Sequence, residues 1–168
     1  MNYHKQPARE KAIALTQALL NNTYFEGFKF DTSFTLRFGR NSKKYFQGHE
    51  LPTVVELYLL CDWWLYSREE WETRLTFFPT PETKDQEEPV QAFELANLRW
   101  IGKSTINSVI LNDEVLFISF ENGKTITISC APVDGESWIL NEHQVEETNR
   151  KWSVVCENNE LFVRNPQL

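Results

Sequence analysis

The sequence predicts an α+β fold, mainly antiparallel β, in which an N-terminal helix is followed by two similar β-meander halves. Helical periodicity is confined to the start of the chain, where Ala8, Ala12, Leu15 and Leu19 recur at helix spacing with Ile13 and Leu20 beside them. From Tyr24 onward the pattern turns to short β-branched and aromatic runs separated by turn residues. Similar runs then recur in the same order in each half.

With 168 residues, 41% of them hydrophobic and 14% aromatic, the chain has the size and the material for a single domain with one core. The helix is expected over Ala8 to Leu20, with Pro7 tolerated in its first turn and Asn21-Asn22 ending it. Two hairpins follow from register arithmetic. Around Glu121-Asn122-Gly123, a two-residue loop would put Leu116, Ile118 and Phe120 on the opposite face from Ile126, Ile128 and Cys130. A three-residue loop with Gly123 left-handed pairs Ile118 with Ile126 and unites the two sets. At the C-terminus, Asn158-Asn159 as a two-residue turn pairs Cys156 with Leu161 and Val154 with Val163. Each hairpin then has one apolar face, as in a sheet packed on one side.

The repeat is read from four matches. Phe34–Phe38 resembles Leu116–Phe120, Leu57–Cys61 resembles Ile126–Cys130, Trp64-Leu65 matches Trp138-Ile139, and Trp71–Leu75 stands where Trp152–Cys156 does. The first meander is placed at 24–78 and the second at 100–164, with an acidic, Pro-rich connector at 79–92. The first copy holds a longer loop, Gly39 to Thr53, where the second has a tight turn. Trp64, Trp71, Trp138 and Trp152 fall at matching places and are assigned to packing, whereas a strand turns Trp63 away from Trp64 toward a surface.

Nucleotide loops and zinc-protease motifs are missing, so no cofactor or metal site is expected and no catalytic residue is assigned. Cys61, Cys130 and Cys156 each end an apolar run and read as reduced, buried thiols, with a catalytic thiolate beside His49 or His143 as the rival. His49-Glu50 and Glu142-His143 set an acid beside an imidazole, but strand neighbours face opposite ways, so neither is a relay by itself. A net charge of −7 disfavours direct nucleic-acid binding, and no apolar run reaches membrane-spanning length. With no signal-like apolar segment at the start, the expectation is a cytoplasmic protein with no membrane partner. The acids offer a negatively charged docking surface for a basic partner, drawn from Asp85, Glu87, Glu88, Asp134, Glu136, Glu142, Glu146 and Glu147.

The helix, the run Leu116-x-Ile118-x-Phe120-x-x-Gly123-x-x-Ile126-x-Ile128-x-Cys130, then Glu136-Ser137-Trp138-Ile139-Leu140 and Trp152-Ser153-Val154 together resemble a known group. They are similar to the small acidic immunity proteins encoded beside bacterial polymorphic or contact-dependent growth-inhibition toxins. The resemblance is best over Val109 to Arg164 and its motifs are structural. It implies a non-enzymatic antidote that binds the basic catalytic domain of its cognate toxin, often a nuclease, and blocks the active site. A general interaction or adaptor module, and a small enzyme or ligand carrier with an aromatic cleft, are the other classes these residues allow.

Overall fold

The computed structural model describes residues 7–80, 82–83, 88–131 and 135–166. Its fold is α+β and rich in antiparallel sheet. Helix α1 (Pro7–Leu20) comes first, as its apolar stripe requires. Ala12, Leu15 and Leu19 are wholly buried, and the last turn is capped by Arg40, whose Nη2 donates to the Leu19 carbonyl at 2.6 Å. A cation at a helix C-terminus satisfies an orphan carbonyl and the dipole together.

Strands β1 (Tyr24–Phe30), β2 (Phe34–Gly39) and β5 (Val54–Leu59) form one meander, with the small hairpin β3 (Tyr45–Phe46) and β4 (His49–Glu50) inserted before β5. Strand β6 (Trp63–Leu65) and helices α2 (Arg68–Leu75) and α3 (Glu88–Arg99) come next. A second meander is made by β7 (Ile106–Leu111), β8 (Val115–Phe120) and β9 (Thr125–Ser129). The chain closes with β10 (Glu136–Glu142), a 3-10 turn at Glu147–Asn149, and the hairpin β11 (Ser153–Glu157) and β12 (Glu160–Arg164).

Both hairpins have the register that their apolar patterns demand. Ile118 pairs with Ile126 across a loop in which Gly123 has φ +84°, and Cys156 pairs with Leu161 across Asn158 and Asn159, both left-handed. The meanders also match in detail. Phe38 pairs with Phe25 just before a bulge at Phe25/Gly27, and Phe120 pairs with Ile106 just before a bulge at Ile106/Ser108.

The sheets, however, are not divided between the halves. Among the described residues, one sheet has the order β1-β2-β5-β10-β11-β12 and another β6-β9-β8-β7. The strand after each meander has crossed to the other one. Trp63 of β6 lies opposite Ile128 of β9, and Trp138 of β10 lies opposite Leu59 of β5. The backbone bonds are reciprocal: Ser129 N–H to the Asp62 carbonyl and Leu60 N–H to the Ser137 carbonyl, both 2.9 Å. The starts of the meanders join in the same way, Phe25 N–H to Ser104 O at 3.0 Å and Ile106 N–H to Thr23 O at 2.7 Å, around a Tyr24–Thr105 bridge. The helices are exchanged too: α1 packs on β7 and α3 on β1.

Three readings of the sequence are corrected by this topology. Trp63 is buried, because the exchange makes it, and not Trp64, the counterpart of Trp138; Trp64 faces Thr127, one place further along. Trp71–Leu75 is not a strand like Trp152–Cys156 but part of α2, capped by Ser67 and tied by Arg68–Glu72 and Glu70–Arg74 at helical spacing. The connector at 79–92 ends earlier than its composition suggests, since residues 88–92 already belong to α3, with Pro89 in the first turn where it costs no hydrogen bond. The packing of Trp64, Trp71, Trp138 and Trp152 is observed, while Trp100 is 67% exposed.

All three cysteines are free, Cys130 and Cys156 buried and Cys61 half-buried. Native-state thiol labelling should therefore spare Cys130 and Cys156 until the protein unfolds. Phe38 and Phe120 are both buried to within 1% and hold the same place in their meanders. Truncation of either to Ala should cost about 3–5 kcal/mol in urea unfolding.

Candidate functional site

The exchange leaves a cleft of about 560 Å³ beside the β5–β6 crossover, closed by the β1–β2 turn and by α2 and α3. One wall is a run of aromatic rings in contact: Phe30–Phe34 (4.7 Å between centroids), Phe34–Trp63 (5.3 Å), Trp63–Trp71 (5.4 Å) and Trp71–Phe93 (4.9 Å). The rings come from five different elements, so the cleft's shape is fixed by packing that spans both sheets and both helices. Phe30 and Leu60 are 37% and 39% exposed at its edge.

The charged lining is Asp62, Arg68, Glu72 and Glu94. Arg68 is engaged: its Nε donates to Glu72 Oε1 at 2.7 Å, and its guanidinium lies 5.0 Å from the Trp64 ring centroid. Among the described residues the side chains of Asp62 and Glu94 have neither hydrogen-bond nor ion-pair partners. Burial, and then the neighbouring Asp62 carboxylate, push the Glu94 carboxyl up to about 7. Burial also pushes the Cys61 thiol in this wall up to about 12, with Cys130 and Asp62 adding to it. That makes Cys61 itself a poor thiolate nucleophile, whereas the hydrogen bond from Cys156 draws the buried Cys130 thiol down to about 7.

The segment joining β6 to α2 is strained. Tyr66 has φ 68°, unusual for an aromatic residue, and it is held there from both helices. Its hydroxyl donates to Asn97 Oδ1 of α3 at 3.3 Å, and the Arg74 guanidinium of α2 stacks 4.3 Å from its ring. Asn97 is itself buried, with Nδ2 donating to the Phe93 carbonyl at 2.8 Å.

Of the acids expected to dock a partner, Asp85, Glu87 and Asp134 lie outside the described residues, and Glu88 opens α3. Glu136 and Glu147 come together in a second concavity, about 450 Å³, on the outer face of the six-stranded sheet. Arg150 and Arg164 share that concavity, so its charge is mixed. Glu146 is exposed and stands apart from it. Glu142 is structural: Oε2 accepts the backbone N–H groups of Lys151 (2.6 Å) and Trp152 (3.1 Å), pinning the loop that leads into β11.

His143 meets Glu56, not its neighbour Glu142: Nδ1 lies 2.9 Å from Glu56 Oε1, and Tyr58 donates to Glu56 Oε2 at 3.1 Å. Glu56 is buried and His143 is a fifth exposed, so this imidazole is a packed group. It lines neither concavity. Among the described residues no group of three or more His, Cys, Asp or Glu side chains is arranged to hold a metal ion, and no helix is long and apolar enough to cross a membrane.

Sequence reasoning missed Asp62, Glu72 and Glu94, although a signal existed. Between Asp62 and Glu94 the chain carries nine acids against three bases, a net −6 out of its total of −7. No protein-family model, curated protein or solved structure matches the chain.

Glu94 makes stability depend on pH in a stated direction. Its carboxyl titrates near 7 folded against 4.5 ordinarily, so its protonated form favours the native state, and that contribution is lost as pH rises through about 7. In urea unfolding from pH 4 to 8, Glu94→Gln should remove a decline that the unaltered chain shows between about pH 4.5 and 7.

Proposed function

We propose that this chain is a non-enzymatic, cytoplasmic immunity protein that binds the basic catalytic domain of a cognate bacterial toxin and blocks it, with the cleft and its two helices as the docking face. The observation that carries the reading is the charge: −6 of the net −7 belongs to the segment from Asp62 to Glu94, which contains β6, α2 and the start of α3. In sequence, that segment carries Asp85, Glu87 and Glu88 as well as Glu69, Glu70 and Glu72.

A blocker has to arrive before its target acts, and long-range attraction accelerates encounter without requiring large contact area. Salt screens such attraction over about 8–10 Å. Exposed apolar side chains in and around this segment give a partner something to bury, since Phe77 after α2 is 81% exposed and Phe30 and Leu60 edge the cleft. Aromatic anchors ringed by charge are the usual makeup of an interface hot spot.

A general adaptor module would use the same physics. The carboxyl pair in an aromatic cleft favours a second alternative, a small enzyme or ligand carrier, because acid–base chemistry uses one protonated and one ionised carboxyl. Protection of cells expressing the toxin encoded next to this chain separates immunity from both. Binding kinetics to that toxin domain test the face. Association should slow on the order of tenfold between low and high salt. Glu69→Lys with Glu72→Lys should slow it as well, whereas Glu136→Lys with Glu147→Lys should change it little. An association rate indifferent to salt and to all four reversals overturns the electrostatic reading, and failure to protect overturns immunity.

A further inference from the structure

We propose that the cleft is a receptor for one arginine side chain of the basic partner, with the guanidinium held between Glu94 inside and Asp62 at the mouth and its stem against the Trp63 and Trp71 rings. This rests on the proposed function, in which the partner is a basic protein, and names what that partner inserts.

The repeat supplies an internal control. Asp62 and Ser137 occupy the same place in the two exchanged strands, each giving its carbonyl to the facing meander strand at 2.9 Å. In the second half that place is filled by a wholly buried serine, whose hydroxyl donates to the Cys130 carbonyl at 2.9 Å. A small polar side chain therefore satisfies the crossover, and the fold does not require a carboxylate at Asp62. Glu94 reinforces the point from α3: it sits half-buried beside a like charge, which raises the free energy of its ionised form and leaves it without a counter-ion among the described residues.

A counter-ion bonded to both carboxylates would come from outside. Arg68, the one basic group of the lining, is bonded to Glu72 and stacked on Trp64, and Asp62 acts on it through space without an ion-pair contact. The cleft suits a planar cation on an apolar stem, since aromatic rings line it beside the Asp62 and Glu94 carboxylates. Guanidinium offers donors in a fixed fork to both carboxylates at once and is less strongly hydrated than ammonium, so arginine fits better than lysine.

Occupancy should be linked to a proton. Glu94 faces Asp62 and the Cys61 thiol on the crossover and Arg68 and Glu72 on α2, and of these groups Glu94 is the one whose shift brings it to about 7. A bound guanidinium favours the carboxylate, so binding releases a proton below that pH and tightens as pH rises toward 8.

The test uses the full chain with N-acetyl-arginine amide as probe and N-acetyl-citrulline amide as its neutral isostere, read by tryptophan fluorescence and by the indole N–H resonances. The expected result is saturable binding on the order of millimolar for the arginine probe, at least about tenfold weaker for citrulline, and tighter at pH 8 than at pH 5.5. Asp62→Ser, which copies the second half, and Glu94→Gln should each weaken it about tenfold with the fold retained by circular dichroism. Glu94→Gln should also abolish the pH dependence. Equal response to both probes, or an arginine response that survives Asp62→Ser and Glu94→Gln in folded protein, overturns the assignment. If the toxin domain binds with the expected salt dependence while neither probe does, the receptor fails and the docking face stands. If the arginine probe binds and the toxin domain does not, the proposed function fails and the receptor stands.

Discussion

The structure depends on the reciprocal exchange of one strand between two meanders. Neither meander closes its own sheet: β5 is bonded on its free side by β10 and β9 by β6, through backbone bonds of equal length at matching positions. A three-stranded meander with one apolar face cannot bury that face alone. By trading the next strand, each half extends the other's sheet and brings a tryptophan, Trp63 or Trp138, into the shared interior. Helices α1 and α3 then pack on the first strand of the opposite half. Unfolding one half would therefore unpair the other, which ties the chain into a single cooperative unit.

The equivalence of the halves ends after the exchanged strands. Strand β10 leads into the hairpin of β11 and β12, which continues the six-stranded sheet and lies against α1. Strand β6 leads into no further strand; the chain turns through the strained Tyr66 into α2, which packs on β6. A helix beside a sheet edge cannot fill space as another strand would, and the gap is the aromatic cleft. The functional candidate thus lies where the two halves differ, not where they agree. Matched positions are occupied by residues the fold needs. At the unmatched ones, such as Asp62 against Ser137, the fold tolerates other chemistry.

Local rules carried much of this into the sequence. The α1 stripe, the Gly123 loop and the Asn158-Asn159 turn were legible because each is decided by a few neighbouring residues and by face parity. Helix α2 was not, since Trp71 and Leu75 are four apart and satisfy both periods; the decision lies in the Ser67 cap and the paired charges around it. The exchange was invisible because strand order within a sheet is not a local property, and with it went the burial of Trp63 and the one-residue offset of the Trp match. The candidate site was half legible. The sign of the charge is in the composition, and the acids of the connector and of the β10–β11 region stand out as local clusters. Glu72 of α2 and Glu94 of α3 are far apart in sequence, and their convergence with Asp62 requires the tertiary fold.

Under the proposed function, charge and cleft would divide the recognition of a basic partner between long and short range. The acids from Glu69 to Glu72 are exposed, so their field reaches a partner from about a Debye length away, yet each exposed pair on contact contributes little to affinity. Glu94 has the opposite character: half-buried and held near neutrality, it adds little to the distant field but interacts strongly with a cation that displaces water from the cleft. In that reading, steering by the outer acids would favour any basic surface, and discrimination would come from the cleft, where Asp62 and Glu94 stand beside the Trp63 and Trp71 rings. A partner lacking an arginine to insert there would be drawn in and released.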